Sequence, residues 1–263
     1  MKLVICDMSG IATNRGVNNV PLLSVLQSLK NYECSFCTGK GYRGGYETIR
    51  DFDFRQPFIC ENGSVIVSRE GHVLYHDCMN AEKIDSMIRN ISELPFEFLA
   101  YIDLNTHKYK FLRGSKALSE SLSQPWFYSE EIYYDVDAFL DNIDKENVCR
   151  ITTRGLEVDL TTGILDDFHV VVSEHEFHSI CNKETDKGSG VKKLAELCEV
   201  DLKDVIIIGN DKNDIDMFRL KECFKIATGI EMPPKDLLDL GNIYVSLDNL
   251  PQYLQRLDEG TLD

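Results

Sequence analysis

The chain has 263 residues, of which 28 are Lys or Arg and 44 are Asp or Glu, so its formal net charge at pH 7 is −16. Hydrophobic residues make up 43% and charged residues 27% of the chain, which is typical of a globular protein and excludes a disordered or fibrous one. The length suffices for one large domain or two modest ones. The strong negative charge argues against a nucleic-acid partner and against an anionic membrane surface.

The first residues and the cysteines favour a cytoplasmic location. Few apolar residues precede the charge of Asp7, unlike a secretory signal, and no apolar run approaches the roughly 20 residues that span a bilayer. The nine cysteines are scattered, which is typical of reduced, buried thiols. Cys34 and Cys37 form a CxxC within an apparent strand, where their spacing puts them on opposite faces and disfavours a metal or redox site. The six histidines form no HExxH motif, and we expect them at the surface.

Strands and helices alternate over the first third of the chain. The short apolar run 3–6 predicts a strand that is buried on both faces of a parallel sheet. Apolar residues at helical spacing then predict a helix over 21–29. The segments that follow are a strand at 33–37, a helix over 46–52, and strands at 57–60, 65–67 and 73–75. This alternation is typical of a doubly wound α/β sheet.

The middle of the chain has a different order, in which extended segments neighbour one another. We predict helices over 81–91 and 137–143 and strands at 97–102, 108–112, 148–152, 156–160 and 169–172. Adjacent strands of this kind indicate an α+β module. The βα alternation resumes near Lys187 and includes the β-branched run 205–208. The predicted architecture is therefore an α/β core with a doubly wound, Rossmann-like parallel sheet, residues 1–77 and 184–263, and an inserted α+β cap domain, residues 78–183.

Four polar segments lie where the chemistry of such a fold is expected. Three of them follow apolar strands, and the fourth opens a helix; they are 7–11 (DMSGI), 38–40 (TGK), 209–214 (GNDKND) and 186–188 (DKG). Ligands bind beyond the carboxyl ends of the strands in a doubly wound sheet. Each segment by itself is typical of a cap or a turn. Their order and their places in one fold indicate a shared site.

Together the four segments resemble the haloacid dehalogenase-like phosphohydrolases, in the Cof-type branch that carries an α/β cap. The first is similar to the family's DxDGT or DxDGI motif, the second to the Ser or Thr that ends a strand, the third to its lysine and the fourth to GDxxND. The segment 61–63 (ENG) also matches a segment common in the family. The resemblance covers nearly the whole chain, and it implies a Mg²⁺-dependent phosphatase.

The resemblance also implies a role for each site residue. Asp7 is the implied nucleophile, which forms an aspartyl-phosphate, and Lys187 neutralises developing charge. The other residues implied to bind phosphate are Thr38, Gly39 and Asn213. The residues implied to bind Mg²⁺ are Asp7, Ser9 through its backbone carbonyl, Asn210 and Asp214.

Two positions depart from the family pattern. Ser9 stands where the phosphatases carry a second Asp, which protonates the leaving oxygen and then activates water. Such acid–base help is worth roughly 10²–10⁴ in rate, so the catalytic role at Ser9 is weakened. Asn210 stands where a metal-binding Asp is usual, and its neutral carbonyl predicts weaker Mg²⁺ binding. The adjacent Asp211 is an alternative ligand if the loop shifts by one residue.

These features lead to three hypotheses. The first is a phosphatase that acts on a small phosphorylated metabolite, a sugar phosphate being one candidate, with activity reduced by Ser9 and Asn210. The second is a catalytically retired protein that binds or senses phosphate. The third is another reaction of the superfamily, such as phosphotransfer or cleavage of a C–P bond. Four aromatic residues are candidates either for a sugar site or for core packing: Tyr101, Trp126, Tyr133 and Tyr134.

Overall fold

A computed structural model describes residues 2–116, 131–157, 163–172 and 177–261. It divides the chain into two compact units. The first unit comprises Met1–Tyr75 and Asp186–Asp263, and the second comprises His76–Thr185. Within the described residues, no helix is both long enough and apolar enough to cross a bilayer.

The described strands and helices are numbered separately in chain order. The strands are β1 (Lys2–Asp7), β2 (Thr13–Asn14), β3 (Val17–Asn18), β4 (Tyr32–Cys37), β5 (Phe58–Cys60), β6 (Val65–Val67), β7 (Val73–His76), β8 (Phe98–Asp103), β9 (Lys108–Arg113), β10 (Glu131–Tyr133), β11 (Arg150–Arg154), β12 (Phe168–Val172), β13 (Phe177–Asn182), β14 (Val205–Gly209), β15 (Phe224–Ala227) and β16 (Ile243–Tyr244). The helices are α1 (Val20–Ser28), α2 (Tyr42–Ile49), α3 (Ala81–Ser92), α4 (Val136–Asn142), α5 (Lys187–Leu197), α6 (Ile215–Phe218), α7 (Lys235–Leu240) and α8 (Leu250–Asp258).

The first unit is built on an eight-stranded sheet in the order β16-β15-β14-β1-β4-β5-β6-β7. Strand β1 lies inside this sheet and pairs in parallel with both β14 and β4. Its residues from Leu3 to Cys6 are fully buried, which explains why its sequence is an unbroken apolar run. The predicted α/β class with a parallel sheet is confirmed.

The second unit is built on a six-stranded sheet in the order β10-β9-β8-β11-β13-β12. Its pairs are antiparallel except for β9 and β10, which are parallel. Helix α3 presents Ile84, Met87, Ile88 and Ile91 to a core that also contains Phe139 of α4. A mostly antiparallel sheet that buries one face under helices is the α+β arrangement expected from the sequence.

Several boundaries differ from those that the sequence pattern predicts. Helix α2 begins at Tyr42 rather than at residue 46. Gly41, which has an extended backbone, is the N-cap residue of this helix. The strand predicted at 148–152 is shifted to Arg150–Arg154. The strand predicted at 156–160 is not formed at residues 156–157, and the rest of that prediction lies outside the described residues.

The prediction that the histidines lie at the surface is wrong for His178, which is buried. Strand β13, which carries His178, lies between β11 and β12, so an inward side chain there is covered on both sides. Among the aromatic candidates, Tyr101 packs in the core of the second unit and Tyr134 is exposed, while Trp126 lies outside the described residues. Seven of the nine cysteines are buried, and Cys78 and Cys198 are half-buried.

The turn at Gly63 gives a test of the packing in the first unit. Gly63 has a φ of +106°, and an added Cβ would lie 1.9 Å from the carbonyl oxygen of Asp186. We expect Gly63→Ala to lower the free energy of unfolding by roughly 2–4 kcal/mol, because the left-handed backbone and the overpacking both cost energy. Urea unfolding measures this loss.

Gly16 offers a matched control for that variant. Its φ is +80°, but nothing lies within 4 Å of an added Cβ. Gly16→Ala should therefore cost only the backbone term, about 1–2 kcal/mol. Equal losses in the two variants would show that the contact with Asp186 does not matter.

Candidate active site

A buried ammonium group joins two buried carboxylates in the first unit. Lys187 Nζ donates to Asp7 Oδ1 at 2.6 Å and to Asp214 Oδ1 at 2.7 Å. The side chains of all three residues are at most 2% exposed. The lysine supplies the compensating charge that two carboxylates need once they leave water.

The strand register explains how Asp7 reaches this position. Asp7 is the last residue of β1 and lies opposite Cys37, the last residue of β4. The preceding residue, Cys6, lies opposite Ile208 near the end of β14. Because parallel strands end at the same edge of a sheet, the segments that follow these three strands share one edge, as the sequence predicted.

Lys187 is fixed by the start of helix α5. The carboxylate of Asp186 accepts the backbone N–H of Ser189 at 2.6 Å, and the hydroxyl of Ser189 accepts the backbone N–H of Asp186 at 2.9 Å. This capping box satisfies donors that the first turn of a helix leaves open. The helix macrodipole disfavours a cation at this end, so the two carboxylates stabilise Lys187 against the local field.

Asp214 is held by its own loop. Its Oδ2 accepts the backbone N–H groups of Asn210 at 2.8 Å and Asp211 at 3.1 Å, while Oδ1 accepts from Lys187. The loop tightens into a 3₁₀ turn over Lys212–Asp214. Asp214 therefore contacts Lys187 with one carboxylate oxygen and the backbone of its own loop with the other.

The charges in this cluster shift two pKa values. Burial, reinforced by the negative charge of Asp214, raises the pKa of Asp7 from 3.8 to about 7, although Lys187 and Lys40 oppose this shift. Burial favours the neutral amine of Lys187, but Asp214 and Asp7 outweigh it and hold the pKa of Lys187 well above its usual range. Lys187 is therefore a permanent cation, and Asp7 titrates near neutral pH in the metal-free protein.

Asn210, whose backbone N–H donates to Asp214, also has a buried side-chain oxygen. Its Oδ1 is buried and accepts no hydrogen bond from any described residue. Its Nδ2 lies against the DMSGI loop, since a Cβ added to Gly10 would come within 2.5 Å of it. Asp211, the alternative ligand, instead uses its carboxylate to accept the backbone N–H of Lys212 at 2.7 Å.

The donor set fits a hard divalent cation. Asp7 and Asp214 offer carboxylate oxygens, and Asn210 offers an oxygen with no protein donor among the described residues. Oxygen ligands of this kind are what Mg²⁺ prefers. The side chains of the first unit are therefore compatible with the metal that the sequence implies.

The loop after β4 places Thr38 and Gly39. Thr38 is buried, and its Oγ1 accepts the backbone N–H of Lys40 at 3.1 Å. The backbone of Asn62 donates to the Thr38 carbonyl at 3.1 Å, and a Cβ added to Gly39 would lie 2.7 Å from Asn62 Oδ1. Asn62 itself has a left-handed φ of 56°. The ENG turn therefore supports the loop that carries Thr38.

Ser9 and Asn213, two further predicted site residues, are not part of the charged cluster. Ser9 is exposed, and its loop is closed by a bridge to Thr13. Asn213 has a buried Oδ1 that accepts no hydrogen bond from the described residues. Across the described part of the chain, Ser9, Asn213 and Thr38 make no hydrogen bond to Asp7, Lys187 or Asp214.

Two further residues belong near this site: Lys40, which lies in the TGK segment but was given no role from the sequence, and Thr228, which was not considered. Lys40 is half-buried, its charge acts on Asp7, and burial lowers its own pKa. Thr228 follows β15, is fully buried, and its backbone N–H donates to the Gly209 carbonyl at 3.0 Å. The available signal was the repeated Thr-Gly pair after a strand, at 38–39 and again at 228–229.

Comparison with known proteins identifies relatives of the chain. A family model described as haloacid dehalogenase-like hydrolase matches residues 17–223. A phosphoglycolate phosphatase of Picrophilus torridus is 32% identical over 124 residues, which are 46% of this chain and 49% of that protein. An uncharacterised protein of Mycoplasma capricolum is 23% identical over 73% of this chain and 74% of its own length. A Mycoplasma pneumoniae protein with a provisional phosphatase name is 22% identical, and the match spans 61% of this chain but only 59% of that protein.

Solved structures with the same fold cover the chain from end to end. A sugar phosphatase of subclass IIB superposes with a TM-score of 0.79 at 14% identity, covering 100% of both chains. A phosphatase of Bacteroides thetaiotaomicron superposes with a TM-score of 0.76 at 17% identity, covering 100% of this chain and 96% of that one. At these identities the likeness establishes the fold.

The pKa of Asp7 predicts how stability depends on pH in the metal-free protein. The folded chain holds the Asp7 proton more tightly than the unfolded chain does, since its pKa is about 7 instead of 3.8. The resulting stability is complete below pH 3.8 and is lost as the pH rises through 7. Asp7→Asn removes this dependence. We expect the unfolding free energy of wild type, relative to the variant, to fall by up to about 1.4 kcal/mol per pH unit in this window.

Urea unfolding of both proteins in EDTA, at several pH values across that window, measures the difference. Parallel pH profiles for wild type and Asp7→Asn would mean that Asp7 titrates at its ordinary pKa.

Proposed function

The chain belongs to the haloacid dehalogenase-like hydrolases, and on that premise we propose that it is a phosphatase that hydrolyses a small phosphate monoester at Asp7. The observation that carries the proposal is the contact of Lys187 Nζ with both Asp7 and Asp214. A phosphate dianion repels a carboxylate nucleophile, so attack requires fixed positive charge at the reacting oxygens. Lys187 supplies that charge.

In the proposed reaction, an Asp7 carboxylate oxygen attacks the phosphorus atom and the ester P–O bond breaks. The leaving oxygen takes a proton from water, because Ser9 does not supply one, and Asp7 carries the phosphoryl group as an aspartyl-phosphate. Water then attacks this phosphorus, which releases inorganic phosphate and restores the Asp7 carboxylate. Lys187 balances charge in both steps, and Lys40 adds a second positive charge whose field reaches Asp7.

The residues that would hold Mg²⁺ are Asp7, Asp214, Asn210 and the backbone carbonyl of Ser9. When bound, the ion would supply positive charge that offsets the repulsion of the phosphate by the Asp7 carboxylate. The neutral amide of Asn210 replaces a carboxylate in this set, so we propose an affinity below that of a site with three acids.

Phosphate oxygens would be held by Thr38, Gly39, Lys187 and Asn213. Thr38 Oγ1 already accepts the Lys40 N–H, so its own O–H proton is available to a phosphate oxygen. At Gly39 the missing side chain keeps the loop close to Asn62. Hydrogen bonds to a charged phosphate are among the stronger ones in proteins.

The substrate class follows from charge and from the relatives. A net charge of −16 opposes polyanionic macromolecules and leaves small anions, which local cations can hold. The names of two similar proteins, a phosphoglycolate phosphatase and a sugar phosphatase, support a small phosphorylated metabolite, with a sugar phosphate as a candidate. Nine scattered cysteines, a pattern typical of reduced thiols, support work in the reducing cytoplasm.

A second candidate function rests on Ser9. This residue is exposed at the position of the family's acid, and a hydroxyl is too weak an acid to protonate a leaving oxygen at neutral pH. A chain that binds phosphate at Lys187 without turning over is therefore the alternative, as a retired or sensing protein.

Hydrolysis of p-nitrophenyl phosphate with Mg²⁺ tests the role of Asp7. We expect Asp7→Asn to reduce turnover to background, because the amide is not a nucleophile and forms no acyl phosphate. Asp51→Asn, at an exposed residue, is the matched control and should retain wild-type turnover. Equal rates in wild type and Asp7→Asn would remove Asp7 from the mechanism.

Ser9→Asp distinguishes a slow enzyme from a retired one. Restoring a carboxylic acid should raise turnover by about 10²–10⁴, measured with an alkyl phosphate whose poor leaving group needs protonation. Thermal unfolding checks that the variant folds like wild type. A folded Ser9→Asp protein with no gain in rate supports the phosphate-binding alternative.

A further inference from the structure

A second chemical cluster lies within the second unit and contains His76, Cys78 and Cys149. Cys78 Sγ lies 3.2 Å from His76 Nδ1 and 2.6 Å from Cys149 Sγ. One nitrogen and two sulfur atoms thus lie within 4.8 Å of one another. The proposed phosphatase chemistry uses none of these groups.

The backbone explains why residues 71 positions apart meet here. The backbone N–H of Met79 donates to the Val148 carbonyl at 2.9 Å, so the segments that carry Cys78 and Cys149 run side by side. His76 ends β7 and stands two positions before Cys78. The intervening Asp77 accepts hydrogen bonds from Asn182 Nδ2, at 2.9 Å, and from the Thr185 hydroxyl, which anchors the segment.

The three residues of the cluster differ in their exposure to solvent. Cys149 is 2% exposed, Cys78 is half-buried and His76 is exposed, so solvent reaches the side that His76 occupies. Hydrogen bonding from Cys149, and next from His76, lowers the pKa of Cys78 to about 7 against the effect of burial. In contrast, burial raises the pKa of Cys6 and of Cys198. The pKa of Cys78 is therefore shifted in the opposite direction to those of Cys6 and Cys198.

We propose that His76, Cys78 and Cys149 bind a thiophilic divalent metal ion of the Zn²⁺ class. Two thiolates and an imidazole are common ligands for such an ion, and three protein ligands leave a fourth, open coordination position. Mg²⁺ prefers oxygen ligands, so this site and the site of Asp7 select different metals.

Metal binding requires a small movement of the sulfur atoms. Thiolates bound about 2.3 Å from a tetrahedral ion lie about 3.7 Å apart, whereas Cys78 Sγ and Cys149 Sγ are 2.6 Å apart. Metal binding would therefore require the two cysteine side chains to rotate apart, and the imidazole of His76 is exposed. An ion bound here would link His76 and Cys78, at the end of β7 and just after it, to Cys149, which directly precedes β11.

Co²⁺ binding to the full chain tests the proposal. The protein is reduced, stripped with EDTA, and titrated with Co²⁺, followed by competition with Zn²⁺. We expect one ion per chain and a thiolate-to-cobalt charge-transfer band, which Zn²⁺ removes. Cys78→Ser should halve that band and lower the Zn²⁺ affinity at least tenfold. His76→Ala, at an exposed position, should lower the affinity while the band keeps its intensity at saturation.

Cys198→Ser, at a half-buried thiol outside the cluster, is the control and should bind both metals like wild type. Lack of stoichiometric binding by the reduced wild type, or equal binding by Cys78→Ser, overturns the proposal. The competing outcome is a Cys78–Cys149 disulfide formed by a peroxide, seen as a loss of two hydrogens by mass spectrometry. A disulfide-forming chain whose reduced form binds no Co²⁺ would also overturn the metal site.

Discussion

The contact of one lysine with two aspartates is the interaction on which the rest of the first site depends. Asp7 and Asp214 are both buried, and without Lys187 they would face each other as uncompensated charges. The start of helix α5, which carries Lys187, is tightly packed: Gly63 lies against the Asp186 carbonyl, and Gly190 lies against Gly63. A side chain at Gly63 or Gly190 would overlap the backbone at this helix start.

Local charge outweighs global charge at this site. The chain has a net charge of −16, which by itself repels a phosphate ester. Screening limits the reach of exposed charges to about 8 Å at physiological salt, whereas the buried Lys187 and the half-buried Lys40 act at short range through a medium of lower polarity. This balance of charges supports the proposal of a small anionic substrate rather than an extended polyanion.

The sequence predicts what depends on local pattern and misses what depends on tertiary placement. The apolar run of β1 and the motif order were sufficient for the α/β class, because buried parallel strands have a distinct composition. The burial of His178 depends on β13 being an interior strand, which no local pattern shows. The Cys78–Cys149 pair depends on strand placement across 71 residues. Lys40 lies directly after the Thr-Gly pair, yet its effect on Asp7 depends on distance, which the sequence does not contain.

The two departures from the family pattern affect different parts of the proposed reaction. Asn210 has the same shape as the aspartate usual at this position, and its buried Oδ1 has no donor among the described residues. Compared with that aspartate, it lacks the negative charge but still offers an oxygen. Ser9 loses the proton donor itself. Formation of the aspartyl-phosphate from an ester with an acidic leaving group needs no such donor, whereas loss of the donor slows the departure of an alkoxide by roughly 10²–10⁴. The proposed site is therefore better equipped to bind phosphate and to be phosphorylated on Asp7 than to complete rapid turnover of a sugar phosphate.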